Sequence, residues 1–165
     1  MSRYFEKSLG NDAELLVKEF FESKGYEFFL SEDKFDDRKD AILVVNGERH
    51  NVEVKLESRY RKFNSFTVPI TTDSNAAGIY KNQLSKCVNV DVLIFCQRPE
   101  NEEEGLKIYQ APPVGSRHFE IKQNSVDMRF VAHFPIDKMR LVGRITDKSI
   151  INKFIIRKDA YAKSL

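Results

Sequence analysis

The residues best placed to do chemistry are two carboxylates and an amine, Asp40, Glu53 and Lys55. They lie in two β-rich runs, Asp40-Ala41-Ile42-Leu43-Val44-Val45 and Glu48-Arg49-His50-Asn51-Val52-Glu53-Val54-Lys55-Leu56, separated by Asn46-Gly47. Asn-Gly between such runs is the strongest short-range hairpin signal, because both turn positions need positive φ. With a two-residue turn, counting outward sets Val45 opposite Glu48, Leu43 opposite His50 and Asp40 opposite Glu53. Lys55, two residues beyond Glu53, points to the same face. The expected result is two carboxylates with Cβ atoms about 5 Å apart and an ammonium beside them. A longer turn would bring Asp36 or Asp37 into the place of Asp40.

Like charges directly opposite on a ladder are destabilising, so this pairing calls for a compensating cation. Lys55 is one. A hard divalent ion such as Mg²⁺ is another, since it is held by one or two carboxylates together with waters and phosphate oxygens. That set of groups suits metal-assisted attack of water on a phosphodiester, with the lysine steadying or helping to deprotonate the water. Glu-x-Lys on an alternating strand is also an ordinary way to solvate one sheet face. The register to Asp40 is what distinguishes this instance. The opposite face is apolar (Ala41, Leu43, Val45, Val52, Val54, Leu56), and a one-residue slip would turn that set to the wrong side.

With a preceding helix that carries Glu14, the set Asp40 and Glu53-Val54-Lys55 resembles the PD-(D/E)xK nuclease superfamily, of restriction-endonuclease-like and Holliday-junction-resolvase-like fold. The likeness covers roughly residues 11–96 and, in its spacing, is most similar to small archaeal-type junction resolvases and phage nucleases. Lys39-Asp40 stands where the family name has Pro-Asp. The resemblance implies an α/β fold with an α-β-β-β-α-β core, a central mixed sheet flanked by helices. Additional strands and a terminal helix would follow over about 106–165, all in one domain. It implies a metal-dependent endonuclease acting on nucleic acid, DNA before RNA. Asp40, Glu53 and the Val54 carbonyl would hold Mg²⁺ or Mn²⁺, Lys55 would position the attacking water, and Glu14 would orient a metal-bound water. Many such nucleases act as homodimers, because duplex cleavage needs two sites. The alternative is a catalytically inactive protein on the same scaffold that binds nucleic acid or serves as an assembly subunit.

The elements that must position these groups follow from patterning. Asn11 or Asp12 can cap a helix to about Lys24, stopped by Gly25, with Ala13, Leu16, Val17, Phe20 and Phe21 at helical spacing. Glu14 shares a face with Val17 and Phe21 and so borders the apolar stripe. Tyr26 to Leu30 reads as a strand and 31–38 as a charged loop. After the hairpin, Arg59, Arg61 and Lys62 interleave with Tyr60 and Phe63, which suits phosphates and base faces. Phe66 to Ile70 reads as an edge strand near Pro69. A helix over about 74–87 offers Lys81, Asn82 and Gln83 as further polar candidates. The continuous apolar run Val90 to Cys96 reads as a strand buried on both faces. Arg98 to Gly105 is expected as a solvated turn, Leu106 to Gln110 as a strand, and Ala111 to Ser125 as irregular. Val126 to Phe134 alternates as a half-buried strand. A short apolar stretch surrounds Gly143, and Thr146 or Asp147 caps a final helix bearing Ile150, Ile151, Phe154 and Ile155.

At 165 residues the chain is long enough for one substantial core. A net charge of +2 does not by itself announce a nucleic-acid binder. No apolar run reaches membrane-span length, the amino-terminal residues lack a signal-peptide core, and cytoplasmic localisation is expected. Cys87 and Cys96 make no metal or disulfide framework and are expected as inert core thiols. His50, His118 and His133 have no ligand spacing. Phosphate loops, nucleophile elbows and Cys-x-x-Cys pairs are missing from the sequence, which removes kinase-like, hydrolase-fold and zinc-finger readings.

Overall fold

The structure is a computed structural model whose described residues are 3–31, 41–57, 64–70, 84–123 and 130–156. Asn46 and Gly47 both take positive φ, 52° and 82°. They close a two-residue turn between β2 (Ala41–Val45) and β3 (Glu48–Leu56). The register is the expected one: Val45 faces Glu48, Leu43 faces His50 and Ala41 faces Val52. The condition under which Asp36 or Asp37 would replace Asp40 is therefore not met, and Asp36, Asp37 and Asp40 themselves lie outside the described residues.

The hairpin is the centre of a six-stranded mixed sheet, ordered β1-β2-β3-β5-β6-β9. β1 (Glu27–Leu30) pairs antiparallel with β2, and β5 (Val92–Gln97) runs parallel to β3. β6 (Leu106–Gln110) and β9 (Arg140–Ile145) continue the sheet antiparallel to the far edge. β5 is buried on both faces, as its unbroken apolar sequence predicts, and residues 84–89 on the approach to it are helical.

One face of this sheet packs on α1 (Arg3–Ser23). Leu9, Ala13, Leu16, Val17 and Phe21 meet Ala41, Leu43, Val52, Val54, Ile94 and Cys96 in one core, with Val45 and Leu56 at its margin. The hairpin's apolar set thus faces α1 as expected. The helix starts at Arg3 rather than at Asn11 or Asp12, and Leu9 carries its buried stripe one turn ahead of Ala13. Its end is a Schellman motif: Tyr26 N–H donates to Phe21 O at 3.1 Å and Gly25 N–H to Glu22 O at 3.0 Å, with Gly25 at φ 91°. The Tyr26 and Phe21 rings meet edge-on at 6.2 Å, the apolar contact that accompanies this cap.

The other face is covered in part by a three-stranded sheet, ordered β4-β8-β7. β4 (Ser65–Ile70) is an edge strand that tolerates Pro69, and its Phe66 stacks on Phe95 of β5 at 4.6 Å with rings 7° from parallel. Val68, Ala132 and Phe134 join Leu93 and Phe95 in this second core. Several expectations are corrected here. β7 (Glu120–Gln123) forms inside the stretch expected to be irregular; all of it is exposed, so no apolar alternation marks it. In β8 (Phe130–Pro135) His133 is buried as well as Ala132 and Phe134, so the strand is covered on both faces there rather than half-buried. Arg98 is buried rather than solvated. The last helix is one turn, Lys148–Ile151, passing into a 3₁₀ turn, Asn152–Phe154. Asp147 caps it as expected, accepting from Ser149 N–H at 3.0 Å and from Ser149 Oγ at 2.7 Å.

Two features fix the connections. Arg117 donates to Cys87 O, Val88 O, Asp91 O and Pro112 O at 2.9–3.2 Å, closing the carboxy end of the 84–89 helical segment. Gly105 lies between β5 and β6 at φ 75°, and a Cβ there would meet Ile145 O at 2.8 Å. Gly105→Ala is expected to destabilise the protein by about 2 kcal/mol in urea unfolding, from backbone strain plus collision. Gly115→Ala, also at positive φ but with open space around it, should cost about 1 kcal/mol.

Candidate active site

Side-chain alternation on β3 sends Val52 and Val54 toward α1 and sends Glu53 and Lys55 the other way. On that face their Cα partners on β5 are Leu93 and Phe95. Glu53 is only 1% exposed, and its Oε1 lies 3.0 Å from Lys55 Nζ. Lys55 is the outward member of the pair, with 23% of its side chain exposed. The carboxylate is thus a buried oxygen donor reached past an ammonium. Both are laddered to β5, on a strand that β2 also pairs as far as Val52, so their positions are set by the sheet and not by a loop.

Just beyond, two charged residues that the sequence reading missed close the strand ends. Glu57 is 3% exposed and Arg98 is 3% exposed. Glu57 N–H donates to Cys96 O at 2.8 Å, and its Oε1 accepts from Arg98 N–H at 3.0 Å. Arg98 Nε donates to Phe154 O at 2.7 Å. These bonds tie the carboxy ends of β3 and β5 to each other and to the terminal helical turns. The available signal is the continued alternation Glu53-x-Lys55-x-Glu57, which reads as a solvated charged face although Glu53 and Glu57 are buried.

The other expected site residues are distributed as follows. Glu14 is half-buried on α1, the layer across the sheet from Glu53. Val54 is buried in the α1-facing core with its backbone in the sheet. Asp40, Arg59, Arg61 and Lys62 lie outside the described residues, as do Lys81, Asn82 and Gln83. Among the described residues no three His, Cys, Asp or Glu side chains group as metal ligands. His50 faces away from Glu53, 3.7 Å from Glu48. Cys87 and Cys96 are buried free thiols, and burial pushes Cys96 up to about 12, far from a nucleophile's range. No described helix is long and apolar enough to cross a membrane.

Known families and curated proteins were compared with the chain, and none matches it. What the site can do therefore rests on its own geometry.

A buried carboxylate that loses its ammonium is costly, whereas losing both charges together is far less so. Lys55→Met should lower unfolding free energy by about 2–4 kcal/mol, and Glu53→Gln combined with Lys55→Met should recover at least half of that loss. Equal losses in the single and double variants, measured by urea titration, would mean that Lys55 acts through packing alone.

Proposed function

We propose that the protein is a divalent-metal-dependent nuclease that hydrolyses phosphodiester bonds, acting as an endodeoxyribonuclease. The observation that carries this reading is the buried Glu53 carboxylate paired with Lys55 on one face of a central strand, in the register set by the Asn46-Gly47 turn. Support also comes from the chain order of the six-stranded sheet: a helix, three successive antiparallel strands, then, after β4 has passed into the second sheet, helical residues 84–89 and a strand parallel to the third. That order is compatible with the α-β-β-β-α-β core of the PD-(D/E)xK superfamily.

The donor set suits a small hard cation. Mg²⁺ takes one or two carboxylates and completes its shell with water and phosphate oxygens, so Glu53, Asp40 and the Val54 carbonyl would suffice. Bound there, Mg²⁺ or Mn²⁺ supplies polarisation of the phosphate and a more acidic water. The chain's own residues do the rest. Glu53 fixes the Lys55 ammonium at 3.0 Å. Lys55, at the solvent side of the pair, orients the water that attacks phosphorus and offsets charge developing there. Arg59, Arg61 and Lys62 follow directly in sequence and would hold flanking phosphates. Glu14, on the far layer, would act only indirectly. A homodimer would place two such sites on a duplex.

A second reading is favoured by the closed Glu53–Lys55 pair, which already neutralises the carboxylate. In it the fold binds nucleic acid or serves as an assembly subunit without cleaving. The two part in one assay. Labelled duplex, single-stranded and branched DNA and an RNA are incubated with Mg²⁺ or Mn²⁺. Cleavage should appear, disappear with chelator, and fall at least 100-fold in Lys55→Ala, Glu53→Gln and Asp40→Asn, measured below each variant's melting temperature. Salt-dependent binding with no cleavage of any substrate, unaltered by Lys55→Ala, would establish the second reading instead.

A further inference from the structure

The face of the six-stranded sheet that carries Glu53 is roofed over β5 and β6, where Phe66 meets Phe95 and Tyr109. Among the described residues, the second core that forms this roof takes nothing from β1 or β2. There the ladder aligns Phe29 with Ile42 and Ile42 with Asn51, and Asn51 precedes Glu53 by two residues on the same strand face. The next row aligns Glu27 with Val44 and Val44 with Arg49. Phe28 turns inward and is 1% exposed, while Phe29 turns outward and is 49% exposed. Its ring contacts no other ring among the described residues. Ile42 and Val44 are half-buried beside it, and Arg49 is exposed with no ion-pair partner among the described residues. An aromatic face with apolar shoulders and a guanidinium nearby is the arrangement on which unpaired bases stack while a cation meets the phosphate.

We propose that Phe29, with Arg49, is a stacking platform for an unpaired base of the nucleic acid strand whose phosphate reaches Lys55, the outward member of the Glu53–Lys55 pair. This inference rests on the nuclease reading and adds single-stranded character to its substrate. Two interstrand steps of about 4.8 Å and two residues of about 3.3 Å place Phe29 about 12 Å from Glu53. At the ~3.4 Å rise of a stacked strand, that distance corresponds to about three to four nucleotides. A single extended segment therefore reaches both. The occupant is a nucleic acid strand rather than an apolar protein surface, because polar Asn51 and cationic Arg49 interrupt the apolar patch on the side nearest Glu53.

The chain contains no tryptophan, so Phe29→Trp installs a single indole reporter at the platform. Full-length protein is titrated, in chelator to prevent cleavage, with an oligothymidine of about 15 nucleotides while emission is followed. Anisotropy of the labelled oligonucleotide gives Kd for the wild type and Phe29→Ala. Quenching of Phe29→Trp, a Kd raised about tenfold or more in Phe29→Ala, and no quenching in Leu15→Trp on α1 bear out the proposal. Equal binding by wild type and Phe29→Ala overturns the platform and leaves the nuclease reading standing. A wild type that neither binds nor cleaves removes both. Light scattering that finds a wild-type dimer and a Phe29→Ala monomer would give this face to a second copy of the chain and overturn the proposal.

Discussion

A turn of two residues decides which side of the sheet every residue of β3 occupies. With Asn46 and Gly47 both at positive φ, the strands on either side have no freedom to slide. Val52 and Val54 must enter the α1 core, and Glu53 and Lys55 must enter the opposite layer. A three-residue turn would exchange those roles. It would push a carboxylate and an amine against Leu16 and Val17 and leave two valines facing the roof. The apolar core and the charged pair are thus held by the same constraint: the burial that stabilises one face enforces the chemistry of the other.

The second layer adds what a single sheet cannot. Phe66 stacked on Phe95, with Phe134 tilted against it, seals the sheet beside Glu53 and takes water away from the carboxylate. Electrostatic interactions strengthen in such surroundings, so the ion pair at 3.0 Å is a stronger tie than a surface pair of equal length. Lys55 remains partly open, and the site therefore has a wet side and a dry side. Glu57 and Arg98 finish the strand ends by hydrogen bonds to backbone rather than by apolar packing, which keeps the ends of β3 and β5 in register without closing the wet side.

How much of this was legible depends on the kind of signal. The hairpin register, β5 as a strand buried on both faces, the Gly25 stop and the Asp147 cap were all readable, because each follows from local chemistry within a few residues. The start of α1 was not, since Leu9 counts as core only once the sheet beneath it is known. β7 carries Glu120, Lys122 and Gln123 with one apolar residue, Ile121, and only its pairing with β8 makes it a strand. Arg98 and Glu57 look like solvent residues in sequence. Their burial arises from long-range meetings with Phe154 and with each other, 56 and 41 residues apart. At the site, the side shared by Glu53 and Lys55 was legible; the layer that holds Glu14 was not, because helix-to-sheet sidedness is a tertiary choice.

Arg117 carries a consequence for where this chain can change. Irregular surface segments are usually the places where a protein accepts inserted residues and drifts in length. The stretch from Pro112 to Arg117 is irregular, but its guanidinium grips a carbonyl at its own beginning and three more around the end of the neighbouring helical segment. Lengthening it by one residue would draw the fork away from those oxygens and uncap the chain leading into β5. The segment belongs to the frame despite its lack of regular structure, and variation in length is better accommodated at the exposed glutamates of the β5–β6 connection.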